Sequence, residues 1–300
     1  MPGARATHNI YMTSIRTLAF ATYGEITRRP LYYILLVSFA AAIFFSKMLT
    51  LFSFYQEMNM VREMGVATLT FWGFIIVVIT SGLVVTQELE DRTAVTLLSK
   101  PIRRSDFLLG KFLGMWGAIV PGVLVLSGIL VLTLWMMAEP HLDLSDRKVA
   151  DGLAQGVGPF RTTWKAIWSQ FVLTQGAVVL EGALLSVLQS AILAALAVSF
   201  SAFFPNVVAV ASTTLAFILG NISSYMVASV ERMNVGPLTL AARGLSYALP
   251  NLGYFNLQTH FSEGKIISIR YLAMSSAYAV LFVSAVFLVS CSVFQKREVR

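Results

Sequence analysis

Residues 182–230 read GALLSVLQSAILAALAVSFSAFFPNVVAVASTTLAFILGNISSYMVASV, and they contain no Asp, Glu, Lys or Arg. A helix needs about 20 apolar residues to cross a hydrocarbon core of about 30 Å, so this run is too long for one crossing. Phe204-Pro205-Asn206 interrupts the run near its middle, and proline disfavours helix at its own position and at the residue before it. The run therefore predicts two membrane-spanning helices, at about 182–203 and 207–227, joined by a tight turn.

The rest of the chain has the same character. It is 57% hydrophobic and only 12% charged, whereas an ordinary soluble domain has roughly 25% charged residues. Further charge-poor runs predict four more spans, at about 31–51, 66–86, 107–137 and 271–294. Pro30 suits the first position of a helix, where a missing N–H costs nothing, and Pro121 predicts a kink. We therefore predict an all-α integral membrane protein, a single domain over residues 1–300 with six transmembrane helices.

The flanking charges indicate the orientation. Lys and Arg lie close to the span ends on the side of the membrane that holds the N-terminus. Such residues are enriched on the cytoplasmic side, so we expect both termini in the cytoplasm and a multi-pass protein of the cell (inner) membrane. The net charge of +7 is then a feature of topology and does not predict nucleic-acid binding. Ile15 to Arg29 is amphipathic and basic, as expected for a helix at the membrane surface. Two outer loops are predicted at 138–170 and 231–270, and we expect the second to fold on the outer membrane surface.

The connector between spans two and three, residues 87–111, reads QELEDRTAVTLLSKPIRRSDFLLGK. Helix connections usually have about 2–8 residues, and this one is longer, charged and patterned. Its acidic residues come first, which suits the positive end of a short helix, and Pro101 ends that helix. Ser105 can cap the next helix. The pattern predicts a short surface helix within the loop 87–106, and it leaves open whether this helix docks a partner or the segment is an ordinary solvated loop.

The same stretch resembles a known family. Glu90 to Lys111, with its acidic start, its Leu-Leu pair, its proline, its Arg-Arg pair and the ending Phe-Leu-Leu-Gly-Lys, is similar to the first cytoplasmic loop of type-2 ABC transporter permeases. Thr93-Ala94 departs from the Gly-Thr pair that is common there. The segment before span one resembles the family's N-terminal elbow helix, and residues 201–204 resemble its second cytoplasmic loop. Leu245 to Asn256 resembles an outer segment that precedes span six in some members.

The resemblance implies a transmembrane permease subunit of an ABC transporter, of the exporter type, in which the 87–106 loop is the coupling helix. An ABC ATPase subunit would dock on residues 88–104 and would bind ATP and Mg, so that this chain has no cofactor and is not itself an enzyme. The other implied partners are a second permease copy or a related permease, membrane lipid, and an extracytoplasmic protein. The docking residues implied by the resemblance are Glu88, Glu90, Asp91, Arg92, Thr93, Leu97, Leu98, Pro101, Arg103 and Arg104.

A rival function depends on Glu181, the one acidic residue embedded in a long apolar run. Ionisable groups inside membranes often have a functional role, and Gln189 lies about 80° round the same helix. The two could line a translocation pathway, with Glu181 as an ion- or proton-coupling group of an ATP-independent secondary transporter. Alternatively, Glu181 lies near the outer interface and is simply hydrated.

The remaining motifs argue against a nucleotide site and a metal site in this chain, and one of them indicates close helix packing. A Walker pattern needs a glycine five residues before Gly-Lys, and Gly110-Lys111 and Gly264-Lys265 both lack it, so no nucleotide site is predicted in this chain. No cluster of His, Cys and acidic residues predicts a metal site. The Gly110-x-x-x-Gly114 motif, followed by Gly117, permits close helix approach. We expect this motif to serve packing within the bundle rather than a dimer interface.

Overall fold

The computed structural model describes residues 3–49, 57–82, 104–137, 175–233, 249–256 and 267–296. In these ranges the chain forms seven α-helices and one short 3-10 helix. The α-helices are α1 (Gly3–Arg28), α2 (Pro30–Leu49), α3 (Glu57–Thr80), α4 (Arg104–Met137), α5 (Gly176–Phe203), α6 (Asn206–Met233) and α7 (Ile269–Lys296), and the 3-10 helix is Leu252–Phe255.

Six of the helices in the described ranges, α2 to α7, are long and apolar enough to cross a membrane. The prediction of six spans is therefore confirmed at this level. Pro30 is the first residue of α2, as predicted. The turn between α5 and α6 also lies where it was predicted, because Phe204 is extended, with φ −119° and ψ 153°, immediately before Pro205. A proline disfavours helical backbone at the residue that precedes it.

Helix α3 begins earlier than the predicted start at residue 66. It includes Arg62, whose side chain is only 1% exposed. Arg62 donates to Oε1 of Gln175 and, at 2.7 Å, to Oδ1 of Asn59. A charged side chain inside a helical bundle is tolerated when it is hydrogen-bonded to neighbouring groups. The start of span two predicted from the spacing of charged residues was therefore too late. Gln175, which lies just before α5, supplies a hydrogen-bond partner for Arg62 that the local sequence does not reveal.

The six long helices alternate in direction, and contacts place their ends at two opposite ends of the bundle. At one end, which we call the α1 end, Leu18 of α1 lies against Gly110 near the start of α4, and Ser201 of α5 donates to the carbonyl of Ser81 just beyond α3. At the other end, which we call the distal end, Arg62 of α3 meets Gln175 just before α5. The arrangement is that of a chain which crosses the bundle six times.

Helix α5 is the central helix. Of its apolar window 72% is buried, compared with 17% in α2 and in α7. Alanine and serine predominate on its buried surface, and small residues let helix backbones approach closely in membranes. The outer helices instead expose large apolar side chains, as expected where a surface faces lipid. The polar groups of α5 can therefore contact four neighbouring helices at once.

Hydrogen bonds tie α5 to each of those four neighbours, and the bond to α6 joins Gln189 and Asn221. Ser186 is 2.9 Å from the hydroxyl of Thr70 on α3, and the carbonyl of Val187 accepts from the Trp116 indole of α4 at 3.1 Å. Ser290 of α7 donates to the Ser199 hydroxyl at 2.8 Å. Such bonds contribute about 0.6 kcal/mol each on average in a membrane bundle, so they specify the arrangement more than they stabilise it.

Part of the predicted outer loop 231–270 differs from the expectation of a segment on the outer membrane surface. The short helix Leu252–Phe255 lies against α5 and α6, with Leu252 0% exposed and Phe255 3% exposed. Burial of these two apolar side chains between helices accounts for the difference. The other predicted outer loop, residues 138–170, lies outside the described residues.

Candidate functional site

The 87–106 loop carries all ten predicted docking residues, and the described ranges include only its last three positions. Residues 88, 90–93, 97, 98, 101 and 103 lie outside the described residues, so their docking role stays a prediction. Arg104 is the first residue of α4. Asp106 follows in the first turn, and its Oδ1 accepts from Ser105 at 3.2 Å. An acidic side chain at this position suits the positive end of the helix dipole.

The structure does describe where this loop leaves and rejoins the bundle. Both places lie at the α1 end, after Gly82 and before Arg104. A Cβ added at Gly82 would lie 2.6 Å from Oδ1 of Asn206 and 3.2 Å from Cγ2 of Val210. Helix α6 therefore packs directly against Gly82, the last described residue before the loop. Ser201 donates to the carbonyl of Ser81 at 3.4 Å. The two residues just before the loop, Ser81 and Gly82, are thus in contact with the end of α5 and the start of α6.

Helix α1 packs on the beginning of α4 through the glycine motif. A Cβ at Gly110 would lie 2.7 Å from Leu18 Cδ2, and one at Gly114 would lie 2.6 Å from the carbonyl oxygen of Ala19. Glycine is required here because the two backbones approach too closely for any side chain. The interpretation of this motif as packing within the bundle is confirmed, and its partner is α1. The helix expected at the membrane surface is therefore anchored to the third span.

Glu181 lies at the distal end, where it accepts a hydrogen bond from the backbone N–H of Ile267 at 3.0 Å. Ser268 follows and accepts from the N–H of Tyr271 at 3.3 Å, which makes Ser268 the N-cap residue of α7. A carboxylate beside this helix start also meets the positive end of the α7 dipole. The described contacts thus give Glu181 a structural task, that of joining the start of α7 to α5.

Gln189 lies deeper in the bundle and is only 1% exposed. Its Nε2 donates to Oδ1 of Asn221 on α6 at 3.4 Å, and Asn221 in turn donates from Nδ2 to the carbonyl of Phe217 at 2.9 Å. In the part of the chain that the structure describes, no group donates to the buried Oε1 of Gln189. We call Gln189 and Asn221 the amide pair. An unsatisfied buried carbonyl is costly, most of all where no water can reach it.

The structure does not bring Glu181 and Gln189 into one site. They are separated by about 12 Å along α5, and they bond to different segments: Glu181 to Ile267 just before α7, and Gln189 to Asn221 of α6. The sequence interpretation missed Asn221 as the partner of Gln189. A signal was present, because an amide side chain is rare within an apolar span, but the register between α5 and α6 is set by packing and cannot be read from either segment alone.

No protein-family model matches this sequence, and no curated protein matches it either. Within the described ranges no group of three or more His, Cys, Asp and Glu side chains could hold a metal ion.

Proposed function

We propose that this chain is the transmembrane permease subunit of an ATP-binding cassette transporter of the exporter type, driven by a separate ATPase that docks on residues 88–104. The observation that carries the proposal is the patterned loop from Glu90 to Lys111, which resembles the coupling helix of type-2 ABC permeases. Its placement supports the proposal, because the loop leaves and rejoins the bundle at the α1 end, beside α1 and the α5–α6 turn.

The mechanism follows from that placement. Two ATPase subunits that close on ATP push the short helices of two permease copies, or of this chain and a related permease. Each push reaches α3 and α4 directly, since these helices flank the loop, and it reaches α6 through the contact between Gly82 and Asn206. ATP then shifts the bundle between two conformations, provided that the ATPase binds them with different affinity.

A pull-down with one docking variant tests the proposal. The tagged chain is co-expressed with an ATPase encoded beside it, solubilised in detergent and purified through its tag. We expect the ATPase to co-purify, and we expect Leu97→Asp to abolish its recovery, because a carboxylate would be buried in an apolar contact. Ser99→Asp is the matched control, since it places the same charge about 200° round the predicted helix. It should retain the ATPase.

The opposite result has a clear meaning. If no ATPase co-purifies, and the folded chain still transports in proteoliposomes without ATP, then the proposed function is wrong and the secondary-transporter alternative takes its place.

Substitution of Glu181 separates the two functions. Under the proposed function, Glu181→Gln should leave ATP-driven transport intact and lower stability by about 0.3–1 kcal/mol, because the amide oxygen still accepts from Ile267 and only the charge at the start of α7 is lost. Glu181→Leu, which removes the acceptor, should cost about 1–3 kcal/mol. Thermal unfolding in detergent and transport in proteoliposomes measure the two effects. Loss of transport in Glu181→Gln, with stability unchanged, would instead identify Glu181 as a coupling group.

A further inference from the structure

A narrow cleft lies between α2 and α3 at the α1 end, where the chain bends from α1 into α2. Leu31, Tyr32 and Leu35 of α2 form one wall, and Ile76 and Ile79 of α3 form the other. Walls of this kind offer water too few hydrogen-bond partners, so the cleft suits an apolar group. We call this space the α2–α3 cleft.

The spacing of the two helices around the α2–α3 cleft is fixed by aromatic contacts. The hydroxyl of Tyr32 donates to the carbonyl of Ala118 at 2.9 Å, and the ring of Tyr32 meets that of Trp72 edge-on at 5.7 Å between centroids. Nearer the distal end, the rings of Phe39 and Phe71 meet at 6.1 Å between centroids. Because these rings hold α2 and α3 in place, the cleft does not close by rotation of one side chain.

The cleft opens on a surface that faces lipid. Leu31, at its mouth, is 39% exposed, and Ile34 and Val37 on the same helix are more exposed still. Large apolar side chains exposed on a membrane-spanning helix contact lipid tails. Since the cleft is narrow, the part of a lipid that fits it is a single hydrocarbon chain. Such a chain gains dispersion contacts with both walls.

A cationic side chain lies at the α1 end of the cleft. Nη2 of Arg29, which lines the cleft, donates to Oε1 of Glu25 at 2.7 Å, and the two side chains are 35% and 36% exposed. A guanidinium has several N–H donors, so Arg29 can bind a further acceptor beside Glu25. Arg28 is exposed next to it and leaves this end with a net positive charge. Arginine pairs well with phosphate oxygens, and basic residues at a membrane surface attract anionic lipids.

We propose that the α2–α3 cleft binds one anionic glycerophospholipid from the leaflet at the α1 end. One acyl chain lies between α2 and α3, and the phosphate bonds to Arg29. Glu25 competes with the phosphate for the same guanidinium and thereby lowers the affinity for the lipid. This inference goes beyond the proposed function and does not depend on it, because the cleft and its charges belong to the chain whether or not an ATPase docks.

Two substitutions in one ion pair test the proposal. The chain is purified in a neutral detergent and titrated with phosphatidylglycerol, and the bound lipid is counted by native mass spectrometry. Arg29→Gln and Glu25→Gln each remove the same ion pair, so their effects on stability should be alike. Their effects on lipid should be opposite. We expect Arg29→Gln to weaken the apparent affinity about three- to tenfold, and Glu25→Gln to strengthen it about two- to threefold.

The acyl chain is tested by filling the cleft. Leu35→Phe should weaken phosphatidylglycerol binding at least about threefold, because the larger ring occupies the space between the walls. Val37→Phe is the matched control, since it lies about 200° round α2 and is already exposed to lipid. It should bind as the unmodified protein does. Thermal unfolding in the same detergent checks that each variant is folded, and Ile79→Phe fills the cleft from the opposite wall if Leu35→Phe is not.

The headgroup is tested with two further probes. Phosphatidylcholine, which carries no net charge, should bind at least about threefold more weakly than phosphatidylglycerol, and Arg29→Gln should abolish that preference. Glycerol phosphate without acyl chains should not displace the bound lipid.

Three results would overturn the proposal. The first is a shift of lipid affinity in the same direction in Arg29→Gln and Glu25→Gln, which would make the pair merely structural. The second is unchanged affinity in a folded cleft-filling variant. The third is displacement by glycerol phosphate, which would leave only an anion site at the surface. None of these measurements involves an ATPase, so their failure would leave the proposed function untouched.

Discussion

Replacement of Gly122 by alanine is expected to destabilise the bundle by at least about 3 kcal/mol, at the upper end of what overpacking usually costs. A Cβ at Gly122 would overlap Cη2 of Trp72. The indole is rigid and 0% exposed, and its ring meets that of Tyr32 edge-on at 5.7 Å between centroids, so it has little room to move. Thermal unfolding of the detergent-solubilised protein measures the loss.

The control for this prediction lies on the same helix. Gly128→Ala adds the same methyl group where a Cβ meets nothing within 4 Å, and it should be neutral or stabilising by up to about 1 kcal/mol through helix propensity. The double variant Gly122→Ala with Trp72→Phe should recover part of the loss, because the colliding atoms belong to the indole's outer ring. Equal stability of Gly122→Ala and Gly128→Ala would contradict the close approach of α3 to α4.

Replacement of Gly114 by alanine is expected to separate α1 from α4. The new Cβ would lie 2.6 Å from the backbone oxygen of Ala19 and 2.6 Å from Cβ of Thr22, neither of which can move by a simple side-chain rotation. We expect a loss of about 1–3 kcal/mol in stability and faster tryptic cleavage after the exposed Arg16. Under the proposed function the change should also weaken ATP-driven transport, because α1 packs on α4, the helix that follows the docking loop.

Gly117→Ala is the matched control for this variant. Its Cβ would meet only Cδ2 of Tyr23, at 3.9 Å, which is an ordinary contact, and its gain in helix propensity is the same as at Gly114. Tryptic cleavage after Arg16 should therefore stay at the rate of the unmodified protein. If Gly114→Ala were as protected as Gly117→Ala, α1 would not pack on α4 in the way described.

Some parts of the candidate site could be predicted from the sequence and others could not. The patterned loop stands out in the sequence because its charges, its Leu-Leu pair and Pro101 are all local. Gln189 was identified because a polar residue inside an apolar run is conspicuous. Its partner Asn221 was missed, and so was the structural task of Glu181, since both depend on which residue of a distant helix lies opposite. A sequence pattern carries no information about that register.

The sequence by itself determined the class of the fold, because an apolar run of sufficient length has few other stable states than a helix in a membrane. It also determined the α5–α6 turn, where Pro205 blocks helical backbone at Phe204, and the close-packing character of Gly110 and Gly114. Only the tertiary structure decided that α5 is the central helix, that α1 is the partner of the glycine motif, and that residues 249–256 enter the bundle. These features depend on how side chains from distant segments fit together, and such packing has no local signature.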